Sequence, residues 1–387
     1  MDVEFLKGLN EEIVGYRRDL HRFPEVGLEL PKTKTYVEEV LLKLGLMPKQ
    51  CGHGLTCDVG QGKKCLAIRA DMDALPVEEL TNLDYASQHP GFMHACGHDA
   101  HTAVLLGVAK YFAVHEPPCR IRLLFQPGEE GYFGAVDMIE HGALDGVDAA
   151  IGGHVGPVFE EVPTGTFMIK KGPASAATDN FDVIFKGAGT HGSQPHKGKD
   201  PFMVAANFIL TTQVLKSRES DPNNPTVISI GSVHGGTANN IIPEEVRLTG
   251  TVRTVVNQDR EHFSRRLEEI AHGLALAYGV EAGFTYNFGY IPMINDAEMT
   301  DLMTEAIKKY LGEHRVVLTE KANMGGEDMA YFLEKVPGVF YFFNTNNPEK
   351  GITAPNHSPY FNVDEDVLWM MAAADVAFAE EFTSLSS

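Results

Sequence analysis

The chain has 387 residues, of which 43% are hydrophobic and 22% charged, and its 32 Lys or Arg against 53 Asp or Glu give a formal net charge of −21. That length suits two or three domains of about 100–200 residues, and the acidity excludes nucleic acid and anionic membranes, which would repel the chain at long range. Apolar runs fall short of the ~20 residues of a membrane helix, and the acidic first 15 residues do not resemble a secretory signal.

In chain order, helical spacing of apolar residues predicts helices over 5–20 and 33–44. A short apolar strand at 66–70 runs into Asp71-Met72-Asp73. A helix follows over 100–112, with Asp99 placed to cap it. Strands at 121–125 and 149–151 end in Gln126-Pro127-Gly128-Glu129-Glu130 and Gly152-Gly153-His154. Apolar runs bounded by polar loops predict an α/β domain, with helices on both faces of a mostly parallel sheet.

The middle of the chain reads differently. Strands at 181–185, 227–233, 246–255 and 282–288 alternate with helices at 201–216 and 258–278, in the order βαββαβ of a ferredoxin-like unit. After Pro292 the first pattern resumes, with a helix at 298–311, a strand at 339–343 and a last helix at 365–381. The expected organisation is therefore a discontinuous α/β domain, 1–178 and 291–387, interrupted by an inserted domain, 179–290. Five scattered cysteines, Cys51, Cys57, Cys65, Cys96 and Cys119, do not suggest a disulfide framework and suit a reducing cytoplasm.

Four of the 16 histidines, His89, His94, His98 and His101, fall in the stretch HPGFMHACGHDAH. In an extended segment, residues two apart face the same way, so Cys96 and His98 would share one site just before a helix. A thiolate beside an imidazole suits Zn²⁺. The Glu129-Glu130 pair follows a buried strand, at the sheet edge where α/β folds bind ligands. Adjacent residues diverge, so one carboxylate can hold a metal while the other faces a water. His154 ends another strand, and His357 sits in the loop APNHSPYF. Cys96, His98, Glu130, His154 and His357 make five candidate ligands. A single catalytic zinc uses three, so five point to two ions with a shared water.

The motifs RRDLHRFPEVGLE, RADMDALP, MHACGHDAHTA, LLFQPGEEG, GTHGSQPH, NNIIPEE, GTVRT, GGEDMAYF and NHSP occur in the order found in one family. On these motifs the chain resembles a two-metal amidohydrolase of the aminoacylase/carboxypeptidase superfamily. The branch it resembles contains hippurate hydrolase, indole-acetyl-amino-acid hydrolase and N-acetyldiaminopimelate deacetylase. The likeness runs from about Tyr16 to the last helix. It implies that Cys96, His98, Glu130, His154 and His357 hold two divalent ions, zinc or manganese first and nickel or cobalt as alternatives.

The resemblance further implies Glu129 as general base and Asp71 as an active-site aspartate. It makes the discontinuous domain 1–178 and 291–387 the catalytic, metal-binding one and the insert 179–290 a lid and dimerisation domain, with His191, Asn240 and Arg253 as substrate contacts in the lid. Arg253 is a candidate clamp for an α-carboxylate, with a strand ion pair as the competing assignment. The implied partner is a small N-acyl amino acid or dipeptide, handled by a homodimer or homotetramer joined through the lid. The chain departs from the family at Gly128, where relatives commonly carry Ala. Competing functions are an N-acetyldiaminopimelate deacetylase or dipeptidase of the same fold, an amidase with Cys96 as nucleophile, and a metal-storing scaffold without catalysis.

Overall fold

The computed structural model describes residues 1–157 and 162–384. They divide into two compact units. The first takes in residues 1–174, 294–321 and 328–387, and the second residues 175–293 and 322–327.

The first unit is built on an eight-stranded sheet. Its strand order is Lys49–Cys51, Gly54–Val59, Arg120–Gln126, Cys65–Asp71, Ala149–Val155, Gly338–Phe343, Phe167–Ile169 and Val316–Leu318. The four strands from Arg120–Gln126 to Gly338–Phe343 pair in parallel. Every residue of Cys65–Asp71 is buried, as expected for a parallel strand covered on both sides. Helices His98–Val114 and Leu368–Phe382 close one core against this sheet through Val104, Val108, Ala372 and Val376. The strand Arg120–Gln126 turns Ile121, Leu123 and Phe125 into that core and buries Leu124 on the other side.

The second unit is a four-stranded antiparallel sheet in the order Thr226–Gly235, Glu245–Thr254, Ala177–Lys186 and Glu281–Asn287. Helices Pro201–Val214 and Asn257–Tyr278 cover it in the chain order βαββαβ. Burial along Ala177–Lys186 alternates, the mark of a sheet with one covered face. Phe181, Val183, Phe185, Phe208, Leu248 and Phe263 form this core.

Three local expectations change. The first helix is two, Val3–Gly8 and Asn10–His21, hinged at Leu9, which caps one and opens the other. Asp99 does not cap its helix: Gly97, at φ 90°, occupies that position. Asp99 lies in the first turn instead, where Arg17 Nε and His21 Nδ1 bind its carboxylate at 3.1 and 2.8 Å. The last helix begins at Leu368, after a 3-10 turn at Glu365–Val367. No helix among the described residues is long and apolar enough to cross a membrane.

Candidate active site

Three neighbouring parallel strands end at one edge of the large sheet, and each delivers polar side chains there. Cys65–Asp71 ends on Asp71, Arg120–Gln126 leads into Glu129 and Glu130, and Ala149–Val155 carries His154. Cys96 and His98 arrive at the start of the helix His98–Val114. His357 comes from the loop after Gly338–Phe343. Its backbone is held at φ 68°, with its N–H donating to Ala95 O at 2.7 Å.

These residues converge. Cys96, His98 and His154 place one ligand atom each within 4.8 Å of one another, and so do Cys96, Glu130 and His357. The two triads share the Cys96 sulfur. His154 Nδ1 faces the Val155 carbonyl at 2.7 Å. That bond places its proton on Nδ1 and leaves the Nε2 lone pair pointing at Cys96 Sγ, 3.3 Å away. His357 Nε2 lies 3.3 Å from Glu130 Oε1.

His98 is fully buried among acidic groups, its Nδ1 3.3 Å from Asp73 Oδ1, while its Nε2 has no closer acid than Asp71 Oδ2 at 3.7 Å and makes no hydrogen bond. Orphaned buried polar atoms are costly in a native protein. A thiol, imidazoles and a carboxylate with free lone pairs form the donor set of a divalent transition metal, so the residues fit such an ion. The field agrees with that reading. Burial lowers His98, but Asp71 and Cys96 outweigh it and hold the imidazole well above its ordinary value. Bonds to Cys96 and Glu130 raise His357 to about 10.

A further layer orients the donors. Asp73, fully buried, accepts the backbone N–H groups of Glu129 and Glu130, one on each carboxylate oxygen, at 3.0 Å. It therefore sets the direction in which both glutamates leave the chain. Glu129 offers an oxygen within 4.8 Å of ligand atoms of His98 and Glu130. Asp71 is bound by Arg69 Nη1 at 2.8 Å and by His101 Nδ1 at 2.5 Å. Burial alone would raise its carboxyl, but Arg69, His98 and His101 hold it well below the usual range. His101 Nε2 accepts the Val155 N–H at 2.8 Å, which leaves its proton on Nδ1, facing Asp71. Gly128 sits at φ 68°, and a Cβ there would lie 2.7 Å from Leu28 Cδ2.

Burial raises the Cys96 thiol above its ordinary value, the opposite of what an activated cysteine nucleophile requires. The polar cluster gives the buried glutamates and donors a role that a cysteine amidase would leave unexplained.

The second unit carries the other three expected residues. His191 pairs with Ile241 in a two-stranded ribbon, and Gly192 N–H donates to Asn240 O at 2.7 Å, so His191 and Asn240 share one exposed corner. Arg253 does not join them. It lies near the far end of the strand Glu245–Thr254, about 26 Å along it from Glu245. Its Nη1 donates to Thr251 Oγ1 and to the carbonyls of Val252 and Asp179. Among the described residues it makes no ion pair, because Asp179 is taken by Arg260. The sequence placed Asp73 and His101 near the site but assigned neither a role in it. Their signals were spacing: Asp73 follows Asp71 by two, and His101 lies one helical turn after His98.

Comparison with known proteins adds an independent line. The profile of peptidase family M20/M25/M40 matches residues 67–380. An N-acetyl-L-cysteine deacetylase of Bacillus subtilis (strain 168) is 37% identical over 369 residues, 94% of this chain and 86% of that protein. Thermostable carboxypeptidase 1 of Saccharolobus solfataricus is 38% identical over 391 residues, covering 98% of this chain and 97% of the relative. The crystal structure of a dinuclear metal binding peptidase of the M20 family from Bacillus subtilis superposes with a TM-score of 0.84 at 32% identity, covering 98% of this chain and 99% of the other.

Proposed function

Since the chain belongs to peptidase family M20/M25/M40, we infer that it is a metal-dependent hydrolase of the amide bond in N-acyl amino acids, of the deacetylase, aminoacylase or carboxypeptidase type. The observation that carries this reading is the pair of donor triads sharing Cys96, with the His98 Nε2 buried and without a hydrogen bond. Cys96, His98, Glu130, His154 and His357 would hold two divalent ions, zinc or manganese. When bound, such ions supply positive charge that acidifies water and polarises an amide carbonyl.

The chain's own groups do the rest. Glu129, aimed by the grip of Asp73 on its backbone N–H, takes the proton of the attacking water and returns it to the leaving nitrogen. Asp71, fixed by Arg69 and His101, holds the donor cluster in place from behind. In the second unit, His191 is assigned as a hydrogen-bond donor to the developing oxyanion, and Asn240 as a substrate contact. Arg253 is assigned to the substrate α-carboxylate. Its planar fork matches that group, and its lack of an acidic partner keeps its charge available. Five free, buried cysteines suit a reducing compartment, and a homodimer or homotetramer through the second unit is the proposed assembly.

The test is a panel of N-acetyl and aromatic N-acyl amino acids and dipeptides, assayed on protein stripped by chelation and then reconstituted with Zn²⁺ or Mn²⁺. Activity should vanish on stripping and return with metal. Full activity in the stripped protein, or no cleavage of any member after reconstitution, overturns the reading.

A further inference from the structure

Asn356 stands next to His357 and touches two of the other ligand segments. Its Nδ2 donates to Cys96 O at 3.1 Å and to Val155 O at 3.4 Å, and lies 3.8 Å from Cys96 Sγ. The Val155 carbonyl is the same oxygen that receives His154 Nδ1. Its other amide atom faces Gly156, where a Cβ would lie 2.3 Å from Asn356 Oδ1. Gly156, at φ 136°, leaves the space that this side chain occupies.

We propose that Asn356 is a positioning residue that ties the Cys96, His154 and His357 segments together and tunes the Cys96 sulfur as a metal donor through an N–H···S contact. The inference rests on the metal-binding reading above. One primary amide has two N–H groups, and here all three nearby acceptors belong to ligand residues or to the residue beside one. A carbonyl already bonded to His154 is polarised further by a second donor, which fixes the ring whose Nε2 faces the sulfur. A donor aimed at a thiolate withdraws electron density from it, one of the ways outer groups tune a metal centre. Asn supplies two donors on a short, stiff stem, and no carboxylate can replace them, since all three targets are acceptors.

The experiment uses the whole protein loaded with Co²⁺, reading the sulfur-to-cobalt charge-transfer band and the metal affinity by competition with a chelator. Asn356→Ala removes both donors, and Asn356→Asp keeps the shape while removing them. Both variants should shift the band to longer wavelength and weaken binding about ten- to hundredfold. Each metal-free variant should unfold at a lower temperature than the metal-free parent, since two hydrogen bonds are lost, yet stay folded at the temperature of the titration. If Asn356→Ala fails to fold, the nearly isosteric Asn356→Asp carries the test. A band that stays in place together with affinity within twofold of the parent overturns the role of Asn356 alone. Absence of the band in the loaded parent protein overturns Cys96 as a ligand, and this inference with it.

Discussion

Asp375 lies in the last helix of the first unit, only 4% exposed, and accepts a hydrogen bond from Tyr341 Oη at 2.7 Å. Burial raises its carboxyl from an ordinary 3.8 to about 7, with the Tyr341 bond pulling the other way. Between those values the native protein keeps a proton that the unfolded chain has lost. Stability from this group is therefore complete below pH 3.8, declines as the pH rises, and levels off above about 7. At ~1.36 kcal/mol for each pH unit, the full span is worth about 4 kcal/mol. Asp375→Asn removes the ionisation while leaving an oxygen for Tyr341, at a constant cost of about 1–3 kcal/mol for the unpaired amide N–H groups. The assay is the thermal midpoint of both metal-free proteins from pH 4 to pH 8. All other titrating groups cancel in the difference. At about 2–4 °C per kcal/mol for a unit of this size, the variant should gain about 7–15 °C on the parent across the range. Two parallel curves would refute the reasoning, because they would mean that Asp375 titrates alike in the folded and unfolded chains.

Glu129→Gln should keep the metal content of the parent, measured by elemental analysis, and lower kcat about 10²–10⁴-fold. Near-normal turnover would remove Glu129 from the role of base. Arg253→Ala should raise KM for N-acyl amino acids far more than for their carboxamides, and equal losses would count against the carboxylate clamp. Gly128→Ala forces an L side chain to φ 68° and a Cβ against Leu28. It should cost about 1–3 kcal/mol in urea unfolding, and an unchanged midpoint would show that the loop relaxes freely.

The apolar strands were legible because they are short runs that stop abruptly at polar pairs. Leu123, Leu124 and Phe125 ending in the Gln126 to Glu130 segment mark both an element and its functional end. The strands Lys49–Cys51 and Gly54–Val59 were not, since the first is short and largely exposed and the buried side of the second, Leu55, Cys57 and Val59, alternates with Thr56 and Asp58 in a run too short and glycine-flanked to stand out. The break at Leu9 escaped because apolar spacing continues through it, with Leu6, Leu9 and Ile13 all buried in one core. In the site, cysteine, histidine and glutamate announce themselves by residue type. Asp73 and Asn356 act on backbone groups far away in sequence, and nothing local records which carbonyl or N–H they will meet. Asp99 illustrates the converse: a residue type that favours caps went to Arg17 and His21, because a buried cation and imidazole are stronger partners than the helix end.

The strand Gly338–Phe343 pairs with Ala149–Val155, setting Gly338 against Ala150. On a ribosome adding about 5–20 residues per second, the later strand follows the earlier one by roughly 190 residues, or about 10–40 s. During that interval the edge that carries His154 has no neighbour on this side, and the residue that completes the second triad, His357, has not been made. The strands of the second unit's sheet, all between residues 177 and 287, are synthesised in between. A nascent chain therefore carries the residues of one donor triad, Cys96, His98 and His154, well before it carries those of the other.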